Sequence, residues 1–250
     1  MTVLDFAPGG YRFIKGVFPY SAGVAALPGH RILRLRFPDP VPLEQGFQRI
    51  ERIIRDAARP LTAFCACELR SPAPFTEQGF RDFNEVYVGT LARWGLFENE
   101  INPVARSNVC PEIDPPAAPC FHAFSFTVAA ADAEPCFVVA GSGEVPEGKG
   151  SYGAHIVARG DTSPAGLRQK ARAVLAEMER RLGALGFGWR DTTATQVYTV
   201  HDLHPFLADE IVGRGAARGG LTWHFCRPPV VELEYEMDCR GLAFEQVIAA

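Results

Sequence analysis

The stretch "SPAGLRQKARAVLAEMERRLGALG", residues 163–186, reads as one helix from end to end. Ser163 is placed to cap its first turn and Pro164 sits where a missing N–H costs nothing. Gly186 follows the last turn, where left-handed backbone ends helices. Runs of strand length flank it: "CFVVAGSGEV" (136–145) before and "TTATQVYTV" (192–200) after. Next comes a short helix, "DLHPFLADEIVGRG" (202–215), opened by Asp202. "PPVVELEYEMDCRG" (228–241) then reads as a long strand. In it Glu232, Glu234 and Glu236 alternate with Val231, Leu233, Tyr235 and Met237, giving one acidic and one apolar face.

The first half runs in the same order. "GYRFIKGVFPYSAGVAA" (10–26) and "RILRLRF" (31–37) read as strands bounded by Gly and Pro. "LEQGFQRIERIIRDAA" (43–58) carries Phe47, Ile50, Ile53 and Ile54 on one helical face. "LTAFCACEL" (61–69) has strand length, and "FTEQGFRDFNEVYVGTLARW" (75–94) is a second helix with Thr76 as its cap. After a loop holding Arg106 comes "CFHAFSFTVAA" (120–130), a closing strand. Identity between the halves is low, so the repeat is one of pattern. The expected division is a first unit at 1–128, a linker at 129–135 and a second unit at 136–250, although residues 120–128 can close the first unit or open the second. Each unit is α+β, a mixed sheet with two helices packed on one face. The other sheet face must then be covered, which favours assembly.

Composition narrows the function classes. The 250 residues are 47% apolar and 22% charged, with a net charge of −4 and acids and bases well mixed, which offers no surface for nucleic acid or a charged membrane. No apolar run reaches the roughly 18–20 residues that cross a bilayer, and "MTVLDFAPGGYRF" lacks the pattern of a signal peptide. A cytoplasmic protein is expected. The seven cysteines are odd in number and sit mostly in apolar, strand-like contexts, as small buried hydrophobes do. "VHDLH" (200–204) and "WHFC" (223–226) contain metal-ligand types, but the i, i+3 spacing of His201 and His204 fits no zinc site. "SGEVPEGKGS" (142–151) has the wrong order for a phosphate loop. No metal or cofactor is expected.

Several motifs together resemble the RidA family (YjgF-like proteins), imine and enamine deaminases with a chorismate-mutase-like fold. "PYSAGVA" (19–25) is similar to that family's first strand, "FRDFNEVY" (80–87) to its second helix and "VARSNV" (104–109) to its arginine loop. "AGSGEVP" (140–146) looks like its Ser-Gly-Gln-Ile strand end, and "VELEYEM" (231–237) like its closing strand. The departures are complementary. The first half keeps Tyr20, Asn84 and Arg106 but has no acids in "CFHAFSF", and carries Asn108 where family members often have Cys. The second half keeps Ser142, Gly143, Glu232 and Glu234, but "GLTWHFC" stands where an arginine would be. Family sites lie between units of a trimeric ring, so the resemblance implies a composite site and a homotrimer. The doubled chain resembles the tandem-domain 2-aminomuconate deaminases of bacterial aromatic degradation.

The chemistry follows from residue type. An arginine fork matches a planar carboxylate in a way lysine cannot, so the substrate is a small carboxylate and Arg106 its anchor. Imine hydrolysis needs a proton relay, for which a carboxyl of raised pKa serves; Glu232 and Glu234 are the catalytic candidates. Tyr20, Asn84, Ser142 and Gly143 are expected to bind or shape the substrate. A muconate carries two carboxylates, and Arg34, Arg36 and Arg227 are candidates for the second. The other open readings are a chorismatase-like hydrolase, which uses a divergent double version of the fold, and a non-catalytic ligand-binding protein.

Overall fold

The computed structural model describes residues 1–248. The first half holds β1 (Val3–Phe6), β2 (Tyr11–Ile14), β3 (Gly23–Ala26), β4 (His30–Pro42), α1 (Leu43–Asp56), β5 (Phe64–Arg70), α2 (Glu77–Arg93), β6 (Ala105–Pro111) and β7 (Cys120–Ala129). The second holds β8 (Phe137–Gly143), α3 (Pro164–Leu185), β9 (Ala194–Tyr198), α4 (His204–Phe206, widening into a π-type turn over Leu207–Val212), β10 (Leu221–His224), β11 (Cys226–Arg227), β12 (Glu236–Gly241) and β13 (Glu245–Val247).

The helices begin and end where capping chemistry places them. Thr76 Oγ1 accepts the Gly79 N–H at 3.1 Å and Ser163 Oγ that of Gly166 at 3.2 Å. Gly186 closes α3 at φ +85°. Leu167, Ala171, Val174, Leu175, Met178, Leu182 and Leu185 form the buried stripe of α3.

Two sheets carry the repeat. One has the order β11-β6-β5-β7-β4-β13, the other β1-β2-β3-β8-β12-β9-β10. Their cores, β6-β5-β7-β4 and β10-β9-β12-β8, follow the same path. In both, the first pair is parallel and the next two are antiparallel. Residues 120–128 thus close the first unit, pairing with both β4 and β5.

The sheets are not confined to their own halves, however. β1–β3, expected in the first unit, extend the second unit's sheet through Gly23↔Val139, Val24↔Val138 and Ala25↔Phe137. At the other end β13 runs parallel to β4 of the first. The turn at Leu27–Gly29, with Gly29 at φ +81°, carries the chain from one sheet to the other. The exchange is invisible to hydrophobic patterning, which reports that a strand exists and not which edge it joins.

α1 and α2 cover the outer face of the first sheet, over Phe47, Ile50, Tyr87, Leu91, Trp94 and Phe121. α3 covers the second. The inner faces meet through small residues, among them Ala66, Ala105, Ala140, Cys65 and Cys136. The result is a helix–sheet–sheet–helix stack. The sheet face that leads one to expect a homotrimer is therefore covered inside the chain. All seven cysteines are free and buried.

One buried ion pair ties α3 to the second sheet. Lys170 and Glu144 have fully buried side chains with Nζ and Oε1 3.2 Å apart, and Lys170 also donates to the Val157 carbonyl at 3.0 Å. The Glu144 carboxylate accepts the N–H groups of Glu234 (2.6 Å) and Tyr235 (3.1 Å), fixing the approach to β12. Lys170→Met would leave that carboxylate buried without its cation, a loss of about 3–5 kcal/mol. The urea midpoint should fall accordingly; an unchanged midpoint would show that the pair holds nothing together.

Candidate active site

A cleft opens where the two units meet. β6 supplies Arg106 and Asn108, β8 supplies Gly141, Ser142 and Gly143, and the first residue of β12 supplies Glu236. Tyr20, Glu147 and Tyr152 line it from connecting segments. Four of the expected residues, Arg106, Tyr20, Ser142 and Gly143, thus share one cavity.

Arg106 lies on a strand and not in a loop, paired in register with Cys67 of β5 and 3% exposed. Its guanidinium carbon sits 4.8 Å from the ring centre of Tyr87, 5.1 Å from Tyr20 and 5.6 Å from both Phe80 and Phe83. α2 presents three of those rings on one face by its 3–4-residue spacing. Aromatic faces attract a cation but accept few of its hydrogen bonds. Nη1 is buried without a hydrogen-bond partner among the described residues. A desolvated cation with a free donor is arranged for an anion that arrives from outside.

The acid opposite is Glu236, and neither Glu232 nor Glu234 reaches the cavity. Glu232 is half exposed and pairs with Arg159 at 2.8 Å. Glu234 pairs with His201 at 2.8 Å and Arg227 at 3.6 Å, facing away from the cleft. The expected strand over 228–241 begins only at Glu236. Before it, the chain is bound to the start of α2 by Phe75 N–H to Pro229 O and Val231 N–H to Phe75 O, and Glu232 turns through φ +71°. That turn breaks the period-2 alternation, so Val231 is exposed while Tyr235 and Glu236 are both buried. The signal for Glu236 was present in the same acidic series; the kink decided which member counts.

Burial pushes the Glu236 carboxyl well above the usual range, and nearby Asp238 and Glu144 push the same way, while Arg181 and Arg106 oppose them. Its carboxylate lies against Gly141 so closely that a Cβ there would overlap it and crowd the Ser107 backbone. Asp238, the next residue on this face of β12, is taken up by structure. It accepts from Ser107 Oγ of the other sheet at 2.5 Å, Gln196 at 2.8 Å and the Tyr198 hydroxyl at 2.9 Å.

Fully buried Arg181 underpins the β8 wall. It donates to the Ala140 and Gly141 carbonyls (3.1 and 3.3 Å), to Ser142 Oγ (3.3 Å) and to Glu147 (3.0 Å). Glu147 in turn accepts the Tyr20 hydroxyl at 3.0 Å. Tyr20 thus offers its ring to Arg106 while its hydroxyl is engaged, and burial, with Glu147 next, raises its pKa and keeps it a phenol. Arg181 went unnoticed in the sequence, yet it falls three residues after Met178 and four before Leu185, on the apolar stripe of α3. A charge in that position is a signal in itself.

Asn84 is buried on α2 beside a neighbouring recess with Gly148, Gly150 and Tyr152, and does not line the cleft. None of the three arginines expected for a second carboxylate lines it either. Arg34 grips Glu68 at 2.6 and 2.9 Å and reaches Glu245 at 3.1 Å, while Arg227 is held by Glu112 at 2.7 and 3.0 Å. Arg36 pairs through its backbone with β13. Among the described residues no three His, Cys, Asp or Glu side chains are grouped to hold a metal ion, and no helix is long and apolar enough to cross a membrane.

Residues 3–246 match the model of a family described as "2-aminomuconate deaminase CnbZ". The chain is 52% identical over 245 residues to a 2-amino-5-chloromuconate deaminase of Comamonas testosteroni, covering 97% of this chain and 98% of that one. Among solved structures, a chorismatase superposes with a TM-score of 0.53 at 10% identity, over 91% of this chain and 78% of its own, a likeness of fold alone. The Escherichia coli YjgF product aligns with 43% of this chain and 80% of its own at 16% identity and a TM-score of 0.32. A match that spans nearly every residue of both chains places this one in the CnbZ family of 2-aminomuconate deaminases.

Proposed function

We propose that the cleft hydrolyses the C–N bond of a 2-aminomuconate-type substrate, releasing ammonia and leaving the 2-keto acid or its enol. The observation that carries this reading is Arg106, buried among four rings with Nη1 unpaired and facing the same cavity as Glu236. The carboxylate next to the amino carbon seats on the arginine fork, which fixes that carbon inside the cleft. Glu236, its pKa raised by burial, donates its proton to the diene carbon chain and converts the enamine to an iminium. As a carboxylate it then takes a proton from the water that attacks the iminium carbon, returns that proton to nitrogen as ammonia leaves, and recovers the hydroxyl proton as the carbonyl forms, which restores the neutral acid. One group performs every transfer, which suits a carboxyl whose pKa is raised.

Relation to the RidA family is part of the same reading, supported by the equal paths of β6-β5-β7-β4 and β10-β9-β12-β8. A cytoplasmic homotrimer is also part of it. The chain would then associate through exposed apolar side chains such as Trp223, Phe225 and Ile113, and a monomeric sedimentation coefficient at micromolar concentration would exclude it.

Arg106→Lys keeps a charge and loses the planar fork, and should lower kcat/KM for ammonia release by about a hundredfold. Arg106→Met should abolish activity yet melt no lower than the wild type, because it removes an uncompensated buried charge from an aromatic box. Near-normal turnover by Arg106→Lys would place the anchor elsewhere.

Glu236→Gln should reduce kcat by roughly a hundred- to ten-thousandfold with little change in KM. It should also change the pH dependence of stability. The folded pKa of Glu236 is raised, so the folded state holds a proton that the unfolded state releases above the usual carboxylate range. Wild-type stability from this group is therefore full below that range and is lost as pH rises toward the folded pKa. Melting curves of Glu236→Gln and wild type should agree under acidic conditions and separate in the variant's favour toward neutral pH. A constant offset across that range would show that Glu236 is not held protonated.

A further inference from the structure

Arg106 accounts for one carboxylate of a muconate, and no other guanidinium or ammonium group lines the cleft among the described residues. Asn108 does line it. The residue is 3% exposed, and its Nδ2 is buried with no hydrogen-bond partner among the described residues. Its Oδ1 accepts the hydroxyl of Ser71, the residue after β5, at 2.9 Å. Ser71 is itself buried and fixed by its N–H to the Val109 carbonyl at 2.9 Å. The acceptor end of the amide is therefore satisfied by the protein, and the donor end is left for a ligand.

Asn108 follows Arg106 by two residues on β6, so both side chains leave the strand on the same face. Two residues of strand advance by about 6.7 Å, roughly the length of an extended six-carbon diene between its terminal carboxyl carbons. Ser107, between them, points to the opposite sheet and bonds Asp238.

We infer that Asn108 Nδ2 donates to the second carboxylate of the substrate, so that the 106–108 segment of β6 measures a six-carbon dicarboxylate, with a cation at one end and a neutral amide at the other. The inference rests on the muconate reading of the cleft. A neutral donor at the far end explains how the cleft holds a dianion without a second buried cation, which would shift Glu236 toward its ionised form. Asn108 is then a specificity residue.

The test uses two unreactive inhibitors that differ by one carboxylate: hexa-2,4-dienedioate (muconate) and hexa-2,4-dienoate. Inhibition constants are measured on the wild type, Asn108→Ala and Asn108→Asp. The wild type should bind the dicarboxylate at least about tenfold more tightly, the worth of one hydrogen bond to a charged group. Asn108→Ala should erase that preference by weakening the dicarboxylate alone. Asn108→Asp keeps the acceptor for Ser71, so the fold is preserved, and should weaken the dicarboxylate by roughly a hundredfold through like-charge repulsion. If both inhibitors weaken by the same factor, Asn108 touches the shared part of the ligand and the inference fails. It fails equally if the wild type shows no preference. Ammonia release from 2-aminomuconate by the wild type, measured alongside, tests the muconate reading separately: its absence defeats that reading, whereas its presence with an unselective Asn108→Ala series defeats only the assignment of Asn108.

Discussion

Gly141 of one sheet and Ser107 of the other lie so close that a Cβ on Gly141 would stand only 3.2 Å from Ser107, tighter than ordinary packing. Much of the molecule follows from that contact. Sheets normally pack about 10 Å apart through interdigitating side chains. Here alanines and cysteines line the join, and at its rim β6 and β8 approach each other directly. Arg106 leaves β6 on the side away from the join, Ser142 and Gly143 lie on β8 just past Gly141, and Glu236 rests against Gly141 itself. The cleft is thus a consequence of sheet packing: the two sheets are pressed together where small side chains are frequent. The exchanged strands reinforce it, since β3 and β13 each tie one half to the other half's sheet.

The cleft is also where the fold accepts unfavourable electrostatics. Arg106 is a buried cation whose Nη1 has no hydrogen-bond partner among the described residues, and Glu236 a buried acid beside two others. Elsewhere the chain resolves most such charges, Arg70 excepted. Glu68, Arg34, Glu245 and Arg240 form a chain of ion pairs, Lys170 meets Glu144, and Asp238 accepts three hydrogen bonds. Two unsatisfied groups of opposite kind facing one cavity mark the cleft as the candidate site. Stabilising either group internally would quench the chemistry.

Local signals were legible in the sequence wherever the cause is local. Caps at Thr76 and Ser163, the glycine after α3 and the apolar stripes all act within a few residues, and they placed the helices. The repeat was legible as an order of elements. What sequence could not supply was pairing across distance: that 3–26 belongs to the sheet of 137–241, or that the inner faces cover each other. In the site, Arg106 was legible because a lone cation among small residues is unusual, though it sits on a strand. Glu232 and Glu234 lie outside the cleft because the alternation does not run through a turn that only the clamp at Phe75 and the positive φ of Glu232 reveal. Asn108 could be seen as a departure from family pattern, but the hydrogen bond to its amide oxygen needed Ser71, a residue 37 positions away.

The repeat raises the question of why one chain has one such site and not two. The strand equivalent to β6 in the second unit is β10, whose residues Leu221–His224 include no arginine or lysine. The strand equivalent to β12 in the first unit is β7, whose residues Cys120–Ala129 include no acid. A cleft related to the first by the repeat would therefore lack both the anchor and the proton donor. The ground near β10 is filled instead: His224 stacks on Tyr198 at 5.0 Å and bonds Gln196 at 3.1 Å, and burial lowers its pKa to about 4, keeping it neutral. Joining the two units in one chain allows this asymmetry. Identical units would carry the desolvation of cation and acid at every copy, whereas a fused pair confines it to one cleft and uses the other for packing.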